Sequence, residues 1–309
     1  MLSRTADNLF WMARYLERAE CTARLLTMGQ RMAVLPGSAY RDEWRSVLRV
    51  TGCEGFLQHE GPVTEADVVG ILLLDPENPA SIQSCLVRAR ANGRSVRTKL
   101  TQEMWEALNE SWRHFEGCAV ADALRELPVH LDWVKTRASV FRGTMETGMM
   151  RHAGHDFARI GGALERAQMT LRLLDVKYYV LLPETDVVGG GRDHYQWTSV
   201  LHALSGIRAY HHVYGGVHTP AQIVDFLMVN RTFPRSVAFC VDQMRTHLVR
   251  LAKEHGTRSA CNETADELFA LLKAGRNGVF IERGLHESVQ HCLLLTNRLA
   301  NEIADSYHF

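Results

Sequence analysis

The chain has no cysteine pair at C-x-x-C spacing, no excess of charge of either sign and no long apolar run. Each absence removes a class of protein. Seven scattered cysteines, an odd number without paired spacing, argue against a disulfide framework and fit reduced thiols in the cytoplasm. Lys plus Arg and Asp plus Glu are both 35, which excludes a mainly electrostatic nucleic-acid binder. The best apolar runs, at 68–74 and 178–182, fall well short of the roughly 18 residues that begin to suggest a membrane span. No membrane association is expected. Arg4 and Asp7 interrupt the N-terminal stretch before a signal-peptide core could build. Also missing are the G-K-[ST] ending of a P-loop, a G-x-S-x-G elbow and an H-E-x-x-H pair, so no linear signature supports catalysis.

What is present is helical periodicity. Leu9, Met12, Leu16, Ala19, Ala23 and Leu26 recur at steps of three and four, and Trp11, Tyr15, Thr22 and Leu25 form a second strip. A helix apolar on two sides belongs inside a bundle. Pro36-Gly37 ends it. Further helices are expected at about 41–57, from Thr64 to Asp75-Pro76, from Asn78-Pro79 as a long helix to about Glu110, and through Leu131 and Val140 toward Gly148. No alternating pattern between turn signals suggests a sheet. A lone strand at 178–182 remains an alternative to continued helix, and the glycine-rich 188–193 reads as a connection.

The opening stretch returns. Residues 16–26 and 164–174 share eight of eleven positions, including Glu17-Arg18 with Glu165-Arg166 and Arg24 with Arg172. Trp44 matches Trp197, Thr64 matches Thr219 and Cys85 matches Cys240, while the offset drifts from 148 through 153 to 155. The expected architecture is an all-α helical bundle, one domain over 1–309. It is built from two tandem-duplicated halves of about 150 residues (1–148 and 149–309) related by a pseudo-two-fold axis.

Neighbouring helical residues diverge by roughly 100°, so Glu17 and Arg18 cannot serve one partner. Glu17 is expected near Arg14 and Arg24 on its own helix. The set Arg14, Glu17, Arg18, Arg24, Glu165, Arg166 and Arg172 then has two readings. One is a buried ion-pair network that sets helix register. The other is a polar site that binds a carboxylate or phosphate through Arg. Arg14 and Tyr15 become Gly162 and Ala163 in the second copy, so such a site would be asymmetric and weighted to the first copy. Arg90, Arg94 and Arg97 fall on one face of the expected long helix, either as a solvated face or as an anion-binding stripe that Glu103 and Trp105 could extend. The fifteen histidines give no metal-ligand spacing: His286 and His291 are five apart, and His152 and His155 have no recognisable acidic or Cys partner nearby. Neither a metal nor a cofactor is expected.

LSRTADNLFWMARYLERAECTARLL at the start, VRARANGRSVR with EMWEALN, FRGTMETGMM, LERAQMTLRLLD, QWTSVLHALSGIRAY, DFLMVNRTFPRSV and GLHESV together resemble the bacterial alpha-E domain family. The match spans essentially the whole chain, in block order. The resemblance implies a helical protein encoded beside a circularly permuted ATP-grasp protein of the amide-ligase type, and often beside a transglutaminase-like peptidase. Its Glu-Arg motif falls on Glu17-Arg18 and Glu165-Arg166. The Arg-Tyr lead-in of the second motif is replaced here by Gly162-Ala163. The function expected on this basis is a partner of an amide-ligase system that positions a peptide, amino-acid or other anionic ligand. The alternatives are a purely structural scaffold, or a hydrolase or transferase using a Glu in an inter-helix pocket. A homo-oligomer stays open.

Overall fold

A helix apolar on two sides needs neighbours on both, and the computed structural model provides them. It describes residues 3–33, 43–180, 191–275 and 278–309. Helix α1 (Ser3–Ala33) buries Leu9, Phe10, Met12, Leu16, Leu25 and Met28 from several directions. Its chief neighbour is α8 (Ala153–Val180), which begins the second half of the chain. Between them come α2 (Glu43–Thr51), α3 (Glu65–Val69), α4 (Ile82–Ser95), α5 (Gln102–Arg113), α6 (Val120–Arg125) and α7 (Leu127–Gly148). After α8 come α9 (Gly191–Ala203), α10 (Ile207–Tyr214), α11 (Pro220–Val229), α12 (Val237–His255), α13 (Ala260–Ala274), α14 (Val279–Glu282) and α15 (Leu285–Tyr307). No strand occurs among the described residues, and the protein is all-α.

Contacts come in matched pairs. Helices α4 and α7 pack on α1, as α12 and α15 pack on α8; α5 bridges α4 and α7, as α13 bridges α12 and α15. The second helix of each half crosses over, α2 onto α8 and α9 onto α1. Matched sequence positions also make matched hydrogen bonds. Thr64 and Thr219 cap α3 and α11, and Ser81 and Ser236 cap α4 and α12. Cys85 Sγ donates to Pro79 O at 3.5 Å, and Cys240 Sγ to Pro234 O at 3.7 Å. Side-chain caps of this kind satisfy backbone N–H groups that a helix start leaves open.

Four sequence expectations need correction. The helix expected at about 41–57 ends at Thr51, and a separate 3-10 turn follows at Glu54–Phe56. Asn78 does not cap α4: Ser81 accepts from Ser84 N at 3.0 Å, while Asn78 is buried and donates to Ile71 O at 2.8 Å. The preceding turn is wider than an α-helix, with Asp75 N donating to Gly70 O. The long helix to Glu110 is two helices, because α4 stops at Ser95, a 3-10 turn covers Arg97–Lys99, and Thr101 caps α5. Gly93 lies where α5 returns over α4. A Cβ there would lie 2.5 Å from Leu108 Cδ1 of the returning helix. In the second half α8 continues through Val180, as helix and not as a strand there; 181–182, Pro36-Gly37 and 188–190 lie outside the described residues.

The α1 and α8 backbones come close at Gly161, where a Cβ would sit 2.3 Å from Phe10 O. Only glycine lets the two backbones come this near. That approach sets the register in which the charged residues of the two helices meet.

Candidate functional site

Because Glu17 and Arg18 point apart on α1, each reaches a different group on α8. Arg166 donates to Glu17 through Nε at 2.8 Å and Nη2 at 2.7 Å. Arg18 donates to Glu165 through Nε at 2.6 Å and Nη2 at 3.0 Å. Two Glu-Arg pairs, 148 positions apart in sequence, thus exchange partners through reciprocal two-bond forks. This geometry is the strongest an Arg–carboxylate contact adopts. Glu17, Glu20 and Glu165 are all buried.

Beyond the forks the two ends differ. At Glu165, Arg14 adds a third donor at 2.9 Å, reaches Gln168 at 3.2 Å and lies over the Trp11 ring at 4.5 Å. At Glu17 the matching position is Gly162, which offers no side chain. Arg142 of α7 and Arg235, just before α12, come in instead. Arg142 donates to Glu17 Oε2 at 3.1 Å and to Glu20 Oε2, and Arg235 donates to Glu17 Oε1 at 3.4 Å and to Glu20 Oε1. Arg24 closes the group on Glu20 at 2.7 Å and also donates to Ala203 O and Ser205 Oγ. The expectation that Glu17 meets Arg14 and Arg24 is therefore overturned. Arg14 reaches across the interface to Glu165, and Arg24 pairs within α1 with Glu20, one turn away.

Three carboxylates are paired by six guanidinium groups, of Arg14, Arg18, Arg24, Arg142, Arg166 and Arg235. Arg172 adds a further charge near Glu165. Burial pushes the Glu165 carboxyl up, but Arg18 and Arg14 outweigh it and hold it at about 2. Burial also opposes ionisation of Glu17, yet Arg166, Arg142 and Arg235 drive it far below the usual carboxylate range. Both carboxylates are held ionised by their guanidinium partners, an environment opposite to the raised pKa that a general acid needs. On Arg24 and Arg172 burial acts the other way and lowers the guanidinium pKa.

A small cleft of about 30 Å³, open to solvent, lies at the Gly162 end. Glu17, Arg142, Arg159, Gly162, Arg166 and Gln243 are among its walls. Gly162 and Ala163 leave open on this side what Arg14 and Tyr15 fill on the other. The two ends differ, but the open space lies at Gly162 and not beside Arg14 and Tyr15, where the sequence placed the weight of a site. Arg14, Arg18, Arg90, Arg94 and Arg97 are not among its walls.

Arg90, Arg94 and Arg97 do not form one helical face, because Arg97 lies past the end of α4. Arg90 donates to Asn109 Oδ1 at 2.7 Å and lies over the Trp112 ring at 4.2 Å; Arg97 lies over Trp105 at 5.5 Å. Arg94 is exposed. These residues form a separate Arg–Trp surface over α4 and α5, away from the buried network. The sequence reading missed Glu20, Arg142, Arg235, Arg159 and Gln243. Glu20 sits at i−4 from Arg24, a legible spacing; the others carry no local signal.

A family model described as a predicted alpha-helical domain with a conserved ER motif matches residues 1–308. Among curated proteins the chain is 24% identical over 297 residues to an uncharacterized protein of Mycobacterium bovis, and 24% and 23% identical to uncharacterized proteins of two strains of Mycobacterium tuberculosis. Each alignment covers 87% of this chain and 32% of the relative, so the chain spans about a third of their length. No solved structure gives a significant match.

Proposed function

The chain belongs to the Alpha-E family, and from that membership we propose that it is a non-catalytic partner of an ATP-grasp-type amide ligase system. In this reading it holds the carboxylate of a peptide or amino acid at the Arg142–Arg166 cleft. One observation carries the reading: guanidinium groups outnumber carboxylates around a cleft left open by Gly162. Arg142 keeps 24% of its side chain exposed there, and Arg159 with Gln243 stands at the rim, joined by a 2.8 Å hydrogen bond. Arg159 also pairs with Glu146 at 2.6 Å, and a planar, always-charged guanidinium suits a carboxylate. The ligase and the transglutaminase-like peptidase as partners rest on the sequence resemblance. The fact that the mycobacterial relatives are about three times as long is compatible with partners fused in some members and separate in others. Seven free cysteines support a reducing cytoplasm as the compartment, and no described helix is long and apolar enough to cross a membrane.

The second reading is a structural lock, favoured by the saturation of Glu17 and Glu165 by guanidinium groups. One substitution separates the two. A Cβ on Gly162 meets nothing within 4 Å, so Gly162→Arg can fill the cleft with the side chain found at the matching position opposite. Calorimetry with short peptides bearing a free or an amidated C-terminus is the measurement. We expect binding of the free carboxylate only, its loss in Gly162→Arg with the melting temperature retained, and co-purification with the neighbouring ligase. If the free and amidated peptides behave alike, the carboxylate reading fails and the lock remains.

A further inference from the structure

One turn before the cleft-lining Arg159, at the start of α8, the fold assembles a cluster that the sequence separates by 91 positions. His155 and Asp156 of α8 meet His247 of α12, all three buried, with one ligand-type atom of each within 4.8 Å of the others. We propose that His155, Asp156 and His247 form a site for one divalent transition-metal ion, zinc(II) by ligand type, which ties the start of α8 to α12.

Three features support it. First, His155 Nδ1 is fully buried and has no hydrogen-bond partner. It lies 4.0 Å from Asp156 Oδ1, beyond hydrogen-bond reach but on the side of the carboxylate. An orphaned buried ring nitrogen is costly unless something occupies it. Second, the rings are spaced for a shared ion. Two imidazoles on one tetrahedral zinc, each bonded at about 2.0–2.1 Å, place their ring centres roughly 5 Å apart. Here the centres are 5.8 Å apart and the planes are inclined at 61°. His247 Nδ1 already meets Asp156 Oδ1 at 2.6 Å, so small shifts would open a three-ligand seat. Third, the donor set is right. Two imidazoles and a carboxylate suit zinc and its neighbours in the first transition row. Glu146 Oε1 stands 3.8 Å from His155 Nε2, beyond hydrogen-bond reach, and Arg151 Nη1 now meets that nitrogen; with Arg151 displaced, Glu146 is the carboxylate nearest to the second ring nitrogen.

Two guanidinium groups also reach the cluster, and they set the sharpest test. Arg250 Nη1 is 3.3 Å from Asp156 Oδ1 with 42% of its side chain exposed. Arg151, 45% exposed, lies between Glu146 and His155 Nε2. Both extend in from solvent and can swing out. An incoming cation competes with Arg250 for the same oxygen.

The test uses the full-length chain, stripped with chelator and desalted, with zinc(II) and cobalt(II) as probes. We expect one retained equivalent of zinc by elemental analysis, a higher melting temperature with zinc, and the visible spectrum of low-coordinate cobalt(II). His155→Ala and His247→Ala should each abolish the retained equivalent. Altering the exposed His211–His218 pair, whose Nε2 atoms are 2.8 Å apart, should leave it. Arg250→Gln should bind zinc several-fold more tightly, a readout that survives if the histidine variants fail to fold. Absence of stoichiometric metal, loss of binding in the His211/His218 variant, or unchanged or weaker binding in Arg250→Gln would each overturn the proposal.

Discussion

Glu165 accepts from Arg18 and Arg14 in a dry setting, and the cost of disturbing it depends on what is left behind. Removing one partner of a buried pair strands the other charge and costs on the order of 3–5 kcal/mol, whereas replacing both with well-packed apolar groups can be nearly neutral. Glu165→Gln should therefore lower unfolding stability by about 3 kcal/mol in denaturant titrations. The double change Glu165→Leu with Arg18→Met should cost less than that single change, and a larger loss in the double variant would count against the account. The pH dependence follows from the same pair. The folded Glu165 carboxyl, at about 2, lies below its ordinary value of 4.5. Its contribution is complete above roughly pH 4.5 and is lost as pH falls toward 2. Glu17 and Glu20 are shifted in the same direction. Acid destabilisation followed by circular dichroism should thus begin below about pH 4.5 and accumulate as pH falls toward 2; flat stability across that window would contradict the shifts.

At the scale of elements, the forks exist because α1 and α8 pass close enough for short salt links on both sides of the crossing. Gly161 decides that distance, since a side chain there would strike Phe10 O. Overpacking a closely packed interface typically costs about 1–3 kcal/mol. Gly161→Ala gains helix propensity of up to about 1 kcal/mol over glycine, yet it should still destabilise the protein, and Gly161→Val more so, as read from melting temperatures. At Gly162 the same substitution to Ala meets open space and should stabilise slightly. A reversal of this order between adjacent glycines would show that the approach of the backbones is not what Gly161 serves.

For the whole molecule, the crossing of α2 onto α8 and α9 onto α1 leaves neither half self-sufficient. Residues 1–148 alone would expose the face of α1 that packs on α8 and would leave Glu17 without Arg166 and Arg235. Expressed by itself, this half should show no cooperative melt, and adding 149–309 should restore one. A fragment that melts cooperatively alone would mean that the halves are independent units.

The helices were largely legible because their causes are local. The three-to-four spacing of Leu9 through Leu26 places a buried stripe, and Thr64 and Thr219 satisfy helix starts within three residues. The recurrence of Glu-Arg and the loss of Arg14-Tyr15 as Gly162-Ala163 could be read directly. What no local pattern could decide is which Arg meets which Glu. The partners of Glu17 lie 125, 149 and 218 positions away, and their meeting depends on helix rotation and side-chain reach set by the α1–α8 crossing. The α4–α5 break, the cleft at Gly162 and the convergence of His155, Asp156 and His247 have the same origin. Sequence periodicity determined the helices and the charges they carry; the close approach permitted by Gly161 helped decide how those charges are shared, because an ion pair across an interface depends on distance in space and not on spacing along the chain.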